Sequence, residues 1–165
     1  MPAALRGIGS VRPAPEPGEQ AAVERLDDVF IVRDVSAQQC FDYIVDPDHG
    51  TEWNGFAKHV EAHGDPGVGR RIEARIGFLG ITFPLTSHVA VWDEPTDYVL
   101  EGSVPFTTRL GASFTEVAEG TEVDAFLEAD PGKFFPVPKF ALRKALKLQF
   151  DRDIAKLRSH LEALA

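Results

Sequence analysis

The sequence predicts an α+β domain: an antiparallel sheet, two short helices after its first strand, and one long C-terminal helix laid on the sheet. Three features carry this. Leu142, Leu146, Phe150, Ile154, Leu157, Leu161 and Leu164 recur in steps of three and four. Residues 56–129 alternate apolar and polar side chains between turn signals. A helix-start signature, Ser36-Ala37-Gln38-Gln39, cuts off the first strand.

Residues 1–20 stand apart. Pro2, Pro13, Pro15 and Pro17 recur among Gly7, Gly9 and Gly18, with few large apolar groups. Such a segment buries too little surface to offset its ordering entropy. It reads as a flexible arm or an over-long gene start, leaving 21–165 as a single domain. The first strand centres on Val29-Phe30-Ile31-Val32. In the capping box that follows, the Ser36 hydroxyl and the Gln39 side chain each satisfy a free backbone N–H. Val35 and Cys40 fall at the staple positions on either side, which gives Cys40 a packing role. Asp46-Pro47 ends this helix and starts a second, short one that carries Trp53.

Turns are signalled at Gly64-Asp65-Pro66-Gly67, Phe78-Leu79-Gly80, Asp93-Glu94-Pro95-Thr96 and Glu119-Gly120-Thr121. Their spacing suits hairpins, hence a run of about six antiparallel strands. The final helix is a long amphipathic one, its stripe widened by Ala141, Ala145 and Leu148. Pro136 and Pro138 precede it. Nothing else in the chain can cover the apolar face of the sheet.

The overall composition narrows the function. The net charge of −9 over 165 residues argues against binding nucleic acid. Cys40 is the only cysteine, so no internal disulfide forms. No stretch has the length of a membrane span or the pattern of a signal peptide, and a cytoplasmic location is expected.

In this order the elements resemble the START-like, or SRPBCC, helix-grip superfamily, which includes polyketide cyclases and dehydrases, aromatases, lipid-transfer domains and CoxG-like proteins. The landmarks are VRDVSAQQCFDYIVDP, the tryptophan in HGTEWNGF, the turn GDPGVGRR, the strand end VAVWDEPTDYVLEG and the EGT before the last strand. They span about residues 22–164. The resemblance implies a curved sheet wrapped around the long helix, with an apolar cavity between them. It implies that the short helices form the cavity mouth, which would put Trp53 there as a lid or a plug.

Alternation assigns the inward face. It holds Ile72, Ala74, Ile76 and Phe78; then Ile81, Phe83, Leu85, Ser87, Val89 and Val91; then Phe106, Thr108, Leu110, Ala112 and Phe114; then Val123, Ala125, Leu127 and Ala129. No charge appears there, and Ser87 and Thr108 are its only polar groups. His88, Arg75 and Arg109 fall on the outer face. Strand 97–103 is ambiguous between Tyr98 with Leu100 and Val99 with Glu101.

Such an interior suits the binding of a hydrophobic small molecule, a lipid or polyketide-like compound. The expected ligand contacts are Trp53, Phe56, Phe78, Phe83, Phe106, Phe114 and Phe140, with Ser87, Thr108 and Tyr98 fixing orientation. A cyclase or aromatase activity, implied by the resemblance, would instead need a proton-transfer group; the candidates are Tyr98, His49 and His88. No Gly-x-Ser-x-Gly elbow is present, Gly67-Val68-Gly69 lacks the context of a phosphate loop, and no cofactor is called for. His59, Glu61 and His63 share a strand face, but they lead into a polar turn and read as solvated residues, so no metal is assigned. The last helix carries Lys139, Arg143, Lys144, Lys147, Arg152, Lys156 and Arg158 against Asp151 and Asp153. That cationic face either is simply solvated or docks an acidic protein partner or anionic headgroups; the latter offers a third reading, an interaction module.

Overall fold

The computed structural model describes residues 24–165; the expected N-terminal arm, residues 1–20, lies outside them. β1 (Glu24–Arg33) leads to α1 (Ala37–Val45), a 3-10 turn (Pro47–His49) and α2 (Gly50–Trp53). Then come β2 (Ala57–His63), β3 (Arg71–Phe78), β4 (Ile81–Asp93), β5 (Asp97–Val104), β6 (Thr107–Val117) and β7 (Gly120–Asp130). The chain closes with α3 (Lys139–Glu162). The sheet is antiparallel in the order β1-β7-β6-β5-β4-β3-β2. This is the helix-grip arrangement: a meander from β2 to β7, with β1 added beside β7 and α3 held against the inner face.

The junction between β1 and α1 is built as its residues demand. Gln39 N donates to Ser36 Oγ at 3.1 Å, and Ser36 N donates to Gln39 Oε1 at 3.0 Å. Val35 and Cys40 are buried together. Burial pushes the Cys40 thiol up to about 11, which keeps it protonated and unreactive. Across the sheet, the Thr121 hydroxyl donates to the Val35 carbonyl at 2.7 Å. Gly120 has φ +152°, and a side chain there would meet the Val32 carbonyl at 2.1 Å. Only glycine lets β7 start this close to β1.

The inward assignment holds for β3, β6 and β7. Tyr98 and Leu100 are the inward pair of β5, while Glu101 faces out toward Arg109 at 3.1 Å. β4 departs from strict alternation. A register shift lies between Val89 and Val91, so Trp92, rather than Val91, packs on the core. An extra residue on one strand reverses every side chain beyond it.

Candidate functional site

Sheet and α3 enclose a cavity of about 200 Å³. An apolar hollow of about 150 Å³ suffices to bind a benzene ring, so there is room for a ring-sized or larger guest. β3 to β7 supply its floor, Leu146, Phe150, Ile154 and Leu157 of α3 its roof, and the segment from Ile44 to Phe56 one wall.

Of the expected contacts, Trp53, Phe56, Phe78, Phe83, Ser87, Phe106 and Thr108 all line this space. Phe114 and Phe140 do not. Phe114 points inward but sits beneath α1, edge-on to Phe41 at 6.2 Å and only 2% exposed. Phe140 is 75% exposed. It precedes Leu142 by two residues, which turns it about 200° away from the buried stripe. Sequence reasoning missed Phe134 and Phe135, in the loop before α3. Phe135 lines the cavity, and the pair joins Phe83 and Phe106 in a cluster of rings 4.9–6.0 Å apart. Two adjacent aromatics in a loop was the signal available.

Of the proton-transfer candidates, only Tyr98 faces the cavity; burial pushes its hydroxyl up to about 12. His49 stacks on the Tyr43 ring at 4.2 Å, with Nδ1 3.0 Å from the Tyr43 carbonyl, and is not in the wall. His88 lies on the outer face, 3.9 Å from Glu101.

The sheet face is uncharged, as the alternation predicts, but α3 brings in a carboxyl group. Asp153 lines the cavity and is 3% exposed. Its Oδ1 accepts from the Gly55 N–H at 2.9 Å and from Gln149 Nε2 at 2.8 Å. It therefore ties the turn after α2 to α3. Burial pushes its pKa up, against the opposing pull of those two hydrogen bonds and of Lys156. Sequence reasoning counted Asp153 with the cations of the outer face. Its place three residues after Phe150 and four before Leu157 put it on the buried stripe instead.

The Trp53 indole Nε1 is sealed by protein atoms, out of reach of the cavity, and has no hydrogen-bond partner among the described residues. A further polar feature does face the cavity. Ser87, Gly102 and Thr108 are paired in a row across β4, β5 and β6. A side chain at Gly102 would meet Thr108 Oγ1 at 2.8 Å and Ser87 Oγ at 3.0 Å. The glycine lets both hydroxyls lean over one spot of the floor.

Outside the cavity, His59 and His63 of edge strand β2 lie against Glu61 and Glu73, at 2.9 and 3.1 Å. The group is exposed, and Arg71 also pairs with Glu73 at 3.3 Å. On the outer face of α3, Arg143 pairs with Glu24, Lys147 with Asp151 and Arg158 with Glu162, each at 2.9 Å. No helix of the described residues is long and apolar enough to cross a membrane.

Residues 28–162 match the family described as polyketide cyclase / dehydrase and lipid transport. The chain belongs to that family. No curated protein matches its sequence significantly. Among solved structures, it is similar to the di-domain ARO/CYC StfQ from the steffimycin biosynthetic pathway (TM-score 0.68, 12% identity), covering 88% of this chain and 51% of that one. It is also similar to TTHA0849 from Thermus thermophilus (0.65, 13%), covering 87% and 99% of the two chains. Ara h 8.0201 gives 0.62 at 13% identity, covering 86% and 99%. At such identities the likeness is one of fold.

Proposed function

We propose that this member of the polyketide cyclase / dehydrase and lipid transport family binds a hydrophobic small molecule between its sheet and α3. The observation that carries this is the cavity wall. It is almost wholly aliphatic and aromatic, with a few polar groups converging on it, as in small-molecule sites generally. Burial of apolar surface, about 25 cal/mol per Å² before association costs, would drive binding. Trp53, Phe56, Phe78, Phe83 and Phe106 would supply the contact area, and Ser87, Thr108 and Tyr98 the orientation.

The test is mass spectrometry of small molecules released from purified protein, alongside thermal shift with a panel of apolar compounds. A defined apolar compound, lost in Trp53→Ala, is expected. At ligand concentrations of ~100 Kd the stabilisation reaches roughly 2.7 kcal/mol. No released compound and no shift across the panel would sink the reading.

A second reading, an enzyme of cyclase type, is favoured by one observation: Tyr98 and Asp153 are titratable groups in the wall itself. Holding a flexible chain in a reactive fold would do most of the work, with proton transfer at one of these two groups. Loss of turnover with retained binding in Tyr98→Phe or Asp153→Asn supports it. Unchanged turnover of a candidate substrate in both variants removes these two residues from the chemistry.

A further inference from the structure

We propose that the cavity selects an uncharged ligand that carries a hydrogen-bond acceptor, and that it discriminates against carboxylates and other anions. This rests on the binding reading above and narrows its ligand class.

The charge of the wall comes first. Its carboxylic side chains are Asp46 and Asp153; among the described residues it contains no lysine or arginine. An anion placed there would shed its water opposite a buried carboxyl group and find no cation to replace it. Arg70 acts electrostatically on Tyr98 but is not part of the wall. Apolar burial that favours a long or ringed hydrocarbon body would therefore be opposed at any acidic end.

The acceptor requirement comes from the donors. The Ser87 and Thr108 hydroxyls both line the cavity and converge over Gly102. Each can donate to an oxygen of the guest. Buried polar groups are nearly always paired, so two hydroxyls facing an apolar space point to a polar atom on what fills it. A carbonyl, ether or hydroxyl oxygen of the guest supplies that atom. An uncharged oxygen-bearing apolar compound satisfies both; a plain hydrocarbon leaves them bare, and an anion meets the acids.

Three matched two-ring probes separate these terms: 2-acetylnaphthalene is neutral with an acceptor, 2-isopropenylnaphthalene has the same shape without one, and 2-naphthoate is the anion. Calorimetric titration of the full chain at pH 8 should rank 2-acetylnaphthalene first, about tenfold or more over each of the others. The double variant Ser87→Ala, Thr108→Val should bring 2-acetylnaphthalene and 2-isopropenylnaphthalene together, and Asp153→Asn should narrow the penalty on 2-naphthoate. Equal or tighter binding of 2-naphthoate overturns the proposal while leaving the binding reading intact, and directs attention to Arg70. An acceptor preference that is absent, or that survives the double variant Ser87→Ala, Thr108→Val unchanged, also overturns it. Binding of none of the three overturns the binding reading, and this proposal with it.

Discussion

The two ends of the interior use the same residue types for opposite purposes. Beneath α1, Phe41 is fully buried, and its ring is met edge-on by Trp92, Tyr98 and Phe114 at 5.4, 6.4 and 6.2 Å. Val32, Val35, Val123, Leu157 and Leu161 belong to the same buried cluster. At the other end of α3, near Leu142 and Leu146, Phe83, Phe106, Phe134 and Phe135 touch one another. Three of those rings, Phe83, Phe106 and Phe135, border the cavity. Apart from Tyr98, which also faces the cavity, one end spends its aromatics on filling and the other on holding a wall. An apolar pattern facing inward is thus necessary for both and diagnostic of neither.

The sharpest way to break this contrast is truncation at each end. Phe41→Ala should cost about 3–5 kcal/mol, as for a ring removed from a closed core. Phe106→Ala should cost roughly half as much, because its ring already lacks contacts on the cavity side. Both are read from denaturant midpoints at unchanged slope. Equal losses would mean that the open end is packed as tightly as the closed one.

The junction that fixes the closed end gives a smaller effect. Ser36→Ala removes one side of the capping box and should cost about 1 kcal/mol. It is not part of the cavity wall, so affinity for an apolar probe should stay unchanged. Ala74→Phe is its mirror image: a ring added to the cavity floor should abolish probe binding while costing no more than about 1–3 kcal/mol. A stability loss as large as that of Phe41→Ala would show that the space at Ala74 is not free to accept a ring.

Most of the fold was legible because each element carries a local signal. The capping box, the turn residues and the 3.6-residue stripe are short-range patterns whose physics does not depend on the rest of the chain. The cavity residues were legible to the extent that alternation holds, which is why Ile72 to Phe78 and Thr108 to Ala112 were assigned to the inner face. What could not be read were features made by two distant segments. Phe114 faces inward as its strand demands, yet only the position of α1 decides that it fills rather than lines. The shift near Ala90 sets Trp92 inward through pairing with β5. Gly102 looks like an ordinary strand glycine until Ser87 and Thr108 are brought to either side of it. Asp153 is legible in the stripe itself: three residues after Phe150 and four before Leu157, a charge there marks a buried group rather than a surface counter-charge.

Asp153 also gives the smallest and most discriminating expectation. Its folded-state pKa is raised, with burial the largest cause. The fold therefore favours the protonated form. The stability this contributes is fully present below the unfolded-state value near 3.8 and is lost as pH rises through the folded-state value. Asparagine keeps an oxygen to accept from Gly55 and Gln149 but carries no charge to desolvate. Asp153→Asn should thus gain on the wild type as pH goes from 4 to 8, with little difference at the acid end, measured by denaturant unfolding at each pH. The opposite trend would mean that the ionised carboxylate is what Gly55 N–H and Gln149 hold. The turn after α2 would then be pinned to α3 by charge-assisted bonds rather than by neutral ones.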